Sequence, residues 1–148
     1  MTKQFKKTVC LDFDGVLNPY TSGWKGVAII PDPPLPGTIE ALLAYLDASF
    51  NVAVFSSRSK SICGRWAMKR YLGNAIADHW TAGGVSSQYE TCYCRSDAFD
   101  IVHALSWPWF KPAAWVTIDD RAICFDGTWP HPDEISSFRP WNKKGAES

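Results

Sequence analysis

The chain has 148 residues, 46% of them hydrophobic, which suits one compact domain spanning 1–148 with a full core and leaves little room for a second. Fifteen Lys and Arg balance fifteen Asp and Glu, so no overall field gathers nucleic acid or an anionic membrane, and only a local patch remains open. The basic start "MTKQFKKTVCLDF" enters strand-like sequence without a signal-peptide apolar segment, and no later stretch reaches the length of a membrane span, so a cytoplasmic protein is expected.

In chain order, "KTVCLDF" reads as a strand that stops at Asp12 and Asp14, two carboxylates two residues apart, with Gly15 behind them. The proline-rich "NPYTSGWKGVAIIPDPPLPG" follows, long enough for a flap over about 17–36, expected as a hairpin, and too short for a domain. In "PLPGTIEALLAYLDASF" the periodicity of Ile39, Leu42, Leu43 and Leu46 predicts a helix that Thr38 can cap. "NVAVFSSR" is a short apolar strand ending in the hydroxyls of Ser56 and Ser57. "SKSICGRWAMKRYLG" predicts a second helix closed by Gly73. Residues 74–96 carry no clear period, after which Ser96 or Asp97 can cap a helix through "AFDIVHAL". Last, "AAWVTIDD" is a strand ending in Asp119 and Asp120, and "RAICFDG" reads as a further strand.

Strand alternating with helix implies a parallel sheet with right-handed crossovers, whose site lies beyond the carboxyl ends of the strands. Three predicted strand ends deliver Asp12 with Asp14, Ser56 with Ser57, and Asp119 with Asp120 to one edge. Four carboxylates gathered there repel one another, and a hard divalent cation is the usual remedy. Magnesium suits a few carboxylate oxygens together with waters and a substrate phosphate. An aspartate beside such a cation can attack phosphorus, a second carboxyl group can protonate the leaving oxygen and then activate water, and hydroxyls with a lysine can hold the remaining oxygens. The five cysteines, Cys10, Cys63, Cys92, Cys94 and Cys124, are odd in number and read as reduced thiols. Cys92-x-Cys94 with His79 lacks the spacer and the second paired motif of a zinc site.

"LDFDGVLN", "VAVFSS" and "KPAAWVTIDD", in this order and on these elements, resemble the four motifs of the haloacid dehalogenase (HAD) superfamily of aspartate-nucleophile phosphatases, over residues 8–126. The resemblance implies an α/β fold, a HAD-like Rossmannoid three-layer sandwich with a central, mostly parallel sheet. It implies that Asp12 is the nucleophile that becomes an aspartyl-phosphate and Asp14 the general acid and base. Mg2+ would be held by Asp12, the backbone carbonyl of Asp14 and Asp119, with Asp120 bound directly or through water. Ser56, or equally Ser57, would bind the transferring phosphoryl group, and Lys111 would neutralise charge on nucleophile and phosphate.

Simpler readings stand beside these roles. Asp12 and Asp14 can cap a turn, Ser56 and Ser57 a helix, and Lys111 can be an ordinary surface lysine. Arg58 is placed at the substrate, with a solvated arginine as its alternative. Asp126 before Gly127 reads as a turn residue, and His79, His103 and His131 as structural. Neither gap between motifs holds a cap domain, so the resemblance is to a capless or minimally capped member, in which a flap or a homodimer partner covers the site. Trp24, Trp107 and Trp109 can form a stacking surface for a base or sugar, or pack in the core or at an interface. The expected substrate is a nucleotide or other phosphorylated metabolite; a nucleic-acid end is the alternative within enzymes, and an idle HAD-like binding module the alternative outside them.

Overall fold

Three short apolar runs, each followed by polar residues, form the strands among the described residues. The computed structural model describes residues 5–82 and 91–143, without the side chains of 91–94. The strands are β1 (Thr8–Leu11), β2 (Asn51–Val54) and β3 (Val116–Ile118), and they make one parallel sheet in the order β2-β1-β3. The register sets Val9 beside Val52 and Val116, and Leu11 beside Val54 and Ile118. Side chains alternate across a strand, so these residues share one face while Cys10, Ala53 and Thr117 share the other. A bridge between Ala53 and Ser106 extends the outer edge of β2.

The described residues form four α-helices, α1 (Thr38–Asp47), α2 (Ile62–Ala82), α3 (Thr91–Ala104) and the exposed α4 (Pro132–Ser137). Val9, Leu11, Val52 and Val54 join one buried cluster with Leu42 of α1, Met68, Leu72 and Ile76 of α2, and Ala98 and Val102 of α3. The large side chains of β1 and β2 thus go to the helices, and the small or polar ones are left for the opposite face. The mixed α/β class and the parallel sheet agree with the sequence reading. Among the described residues no helix is long and apolar enough to cross a membrane.

Several boundaries differ from expectation. The second helix does not end at Gly73: a 3-10 turn over Ser57–Lys60 precedes α2, which continues to Ala82. Gly73 serves as a contact point, because a Cβ there would lie 2.7 Å from the Phe99 ring of α3. The third helix starts at Thr91, ahead of Ser96 and Asp97. Gly37, not Thr38, is the N-cap of α1, and the Thr38 hydroxyl instead donates to the Leu17 carbonyl at 3.2 Å. The flap contains no hairpin, only turns and one bridge between Asp14 and Asn18. "RAICFDG" is not a strand, and Ile123 and Phe125 are exposed. With no described strand on its outer side, β3 is an edge, and Val116 is 46% exposed. The Cys92 and Cys94 side chains lie outside the described residues.

Candidate active site

The parallel sheet carries β1 and β3 to the same end, where the Asp12 amide donates to the Ile118 carbonyl at 2.9 Å and so fixes the first carboxylate beside the last two. Asp12, Asp119 and Asp120 each offer an oxygen within 4.8 Å of the others. One Asp12 oxygen accepts the Phe13 amide at 2.8 Å, and one Asp119 oxygen the Arg121 amide at 2.8 Å. Asp120 is the unusual member. Its side chain is 1% exposed, yet both oxygens lack a hydrogen-bond donor among the described residues, and Arg121 Nε at 3.7 Å is too far to donate one. Two buried carboxylate oxygens without a donor are costly. Oxygen-only donors at this spacing suit a hard cation such as Mg2+ or Ca2+ without choosing between them.

Gly15 makes this packing accessible. Its φ is +89°, and a side-chain carbon at that position would run into the Asp120 carboxylate. The glycine of the "DFDG" stretch therefore serves both the turn and the room for the third acid.

A cavity of about 190 Å³ opens on the face of the sheet that bears the small side chains, lined by Cys10, Asp12, Phe55, Ser56, Ser57, Lys111, Thr117 and Asp119. Five of the residues singled out from the sequence thus meet in one space. Lys111 is exposed, as is Ser57. Ser56 is buried, its hydroxyl accepts the Arg58 amide at 3.3 Å, and with Ser59 it forms a capping box on the 3-10 turn. Ser57 is therefore the less encumbered of the two hydroxyls.

Arg58, Asp14 and Trp24 are placed differently. Asp14 does not line the cavity: its carboxylate takes both Arg58 Nε, at 2.9 Å, and the Asn18 side-chain amide, at 2.8 Å. Arg58 is 1% exposed, and its Nη1 donates to the carbonyls of Gly26 and Val27, each at 2.8 Å. It is a buried tie between the 3-10 turn, Asp14 and the flap, and not a solvated arginine. Trp24 lies over its guanidinium at 4.5 Å, half open to solvent. Trp107 packs against the core and donates to the Val102 carbonyl at 2.9 Å, which removes it from the stacking surface. Of the other singled-out residues, Asp126 accepts the Thr128 amide in a turn, His131 caps α4, and His79 lies 3.9 Å from Glu40. Sequence reasoning missed Cys10, Phe55 and Thr117 as lining residues; for Cys10 and Thr117 the available signal was their position on the face opposite Val9 and Leu11.

The gathered charge shifts the acids. Burial, helped by the charges of Asp119, Asp120 and Asp14 and opposed by the Phe13 amide, pushes Asp12 from 3.8 up to about 7. Asp120 is also raised, chiefly by burial, with Arg121 pulling the other way. A carboxyl group raised on folding holds its proton more tightly in the folded state. The stability it contributes is complete below about pH 4 and is lost as pH rises to about 7. In EDTA, the protein should therefore lose stability over this range relative to Asp12→Asn, as read from paired urea titrations; parallel pH curves would place Asp12 in a solvated environment. Comparison with protein-family models, with curated proteins and with solved structures finds no match.

Proposed function

We propose that the protein is a magnesium-dependent phosphomonoester hydrolase of the HAD type, working through an aspartyl-phosphate on Asp12. The supporting observation is the convergence of Asp12, Ser56, Ser57, Lys111 and Asp119 on one cavity, with an oxygen of the buried Asp120 carboxylate, which has no donor among the described residues, within 4.8 Å of the other acids. The finer fold assignment, a three-layer HAD-like sandwich with a minimal cap, rests on the order of the motifs and on the central position of β1.

In this reading Asp12, Asp119 and Asp120 would hold the cation, and the Asp14 backbone carbonyl would complete the set that the resemblance implies. Magnesium, when bound, neutralises the repulsion between a phosphate dianion and these carboxylates. Asp12 attacks phosphorus through the oxygen that the Phe13 amide leaves free. Lys111 sets its ammonium charge against the phosphoryl oxygens, and the Ser57 hydroxyl donates to one of them. Asp14 is the acid and base: released from Arg58 and protonated, its carboxyl group turns towards the cavity and gives that proton to the leaving oxygen as the ester P–O bond breaks, and the carboxylate so formed takes a proton from the water that cleaves the aspartyl-phosphate.

The test is turnover of p-nitrophenyl phosphate in magnesium and in EDTA. Hydrolysis that EDTA abolishes is expected, and Lys111→Ala should lower kcat/KM by about 10²-fold without lowering Tm. No turnover with any divalent cation would leave the binding-module reading; full turnover by Lys111→Ala would move the phosphate away from this cavity.

A further inference from the structure

The cations of α2 are stacked on tryptophans. Arg65 lies 4.1 Å from the ring centroid of Trp109, Arg70 lies 4.8 Å from Trp66, and Lys69 lies 5.6 Å from Trp107. Residues 65 and 69, and 66 and 70, are one helical turn apart, and 66 and 69 are neighbours three residues apart, so these side chains form one broad stripe. No Asp or Glu occurs between Asp47 and Asp78. Among the described residues, none of Lys60, Arg65, Lys69 and Arg70 has a carboxylate within ion-pair distance. A chain of zero formal net charge has therefore set a band of cations on one helix with no carboxylate in range among the described residues. Trp66 is 60% exposed and Trp109 46%, so both rings keep open surface. Arg65 Nη1 has no hydrogen-bond acceptor among the described residues.

Short chain segments join the stripe to residues that line the cavity. Ser57 belongs to the 3-10 turn that leads into α2, and Trp109 is two residues from Lys111, and both Ser57 and Lys111 line that space.

The geometry points to a single-stranded polynucleotide as the ligand of this stripe, with its terminal phosphate in the Asp12 cavity, the following phosphates at Arg65, Lys69 and Arg70, and bases on Trp66 and Trp109. Unpaired cations hold a phosphate backbone, and open aromatic faces take unstacked bases whatever their sequence. A mononucleotide gains only the cavity, and a duplex keeps its bases from the rings. The inference rests on the phosphomonoesterase reading for the terminal phosphate alone, since the stripe binds a strand without turning it over.

The experiment is fluorescence anisotropy of the full chain with a short fluorescein-labelled single strand lacking a terminal phosphate, in RNA and DNA arms, against the duplex and a mononucleotide as competitors. Binding should be about 10-fold or more tighter to the single strand than to the duplex, with a slope of about −2 for log K against log salt, as three neutralised phosphates give. Arg70→Glu should weaken binding about 10-fold and lower that slope. Arg70 is exposed, so the substitution is not expected to unfold the helix; a melting curve checks this, and Lys69→Gln is the second variant. With an end-phosphorylated strand, the ratio of its kcat/KM to that of p-nitrophenyl phosphate should fall about 10-fold in Arg70→Glu, through KM. Salt-independent binding, equal affinity for the mononucleotide or duplex, or an unchanged affinity in both variants would overturn the stripe. Aryl phosphate hydrolysis without strand binding overturns the stripe alone, and strand binding without any hydrolysis overturns the phosphomonoesterase reading alone.

Discussion

Asp12→Asn should reduce p-nitrophenyl phosphate turnover by about 10⁴-fold or more, the scale of losing a group that bonds to the substrate. The fold should survive. The amide has the shape of the carboxyl group, its oxygen can still accept the Phe13 amide, and the bond from the residue's own amide to the Ile118 carbonyl does not involve the side chain. Removing one of three close carboxylates also relieves repulsion, so in EDTA at neutral pH the variant should melt above the parent protein. Loss of activity with a gain in stability separates a chemical role from a packing one, since a packing residue would lose both. Fluoroberyllate with magnesium, a mimic of an aspartyl-phosphate, should raise the Tm of the parent and not that of the variant. Substantial turnover by a variant preparation free of parent protein would remove Asp12 as nucleophile.

The parts of this fold that were legible are those written in local sequence. β1, β2 and β3 are apolar runs stopped by Asp12, Ser56 and Asp119, and a parallel sheet must bring such stops to one end. What failed was decided by distant partners. Gly73 looks like a helix end because glycine favours that position, whereas here the missing Cβ admits Phe99 of α3. "RAICFDG" has strand-like composition, but a strand also needs a partner, and this segment pairs with none of the three strands. Trp107 and Trp109 are alike in sequence and separate only in burial, one partly buried against the core and one at the surface. The Arg58 contact with Asp14 spans 44 residues and follows no period, so no pattern within either segment announces it.

That contact carries the second large effect: Arg58→Ala should cost about 3–5 kcal/mol of stability, the range for breaking a buried ion pair from one side. The guanidinium is 1% exposed and reaches three places at once. Nε and Nη2 donate to the Asp14 carboxylate at 2.9 and 3.1 Å, and Nη1 donates to the Gly26 and Val27 carbonyls. Truncation leaves a carboxylate of 13% exposure without its counter-charge and the flap carbonyls without a donor. Lysine keeps the charge but lacks the planar fork, so Arg58→Lys should recover only part of the loss. Asp14→Asn introduced into Arg58→Ala should restore some stability, because the stranded charge is gone. The two substitutions should therefore be non-additive by about 1 kcal/mol or more. The flap gives a local reading of the same tie. With Gly26 and Val27 released and the Trp24 ring without the cation beneath it, trypsin should cut after Lys25 faster in Arg58→Ala than in the parent at a temperature where both are folded. Additive stabilities and an unchanged rate of cutting at Lys25 would show that the flap is held by other contacts and that Arg58 merely fills space.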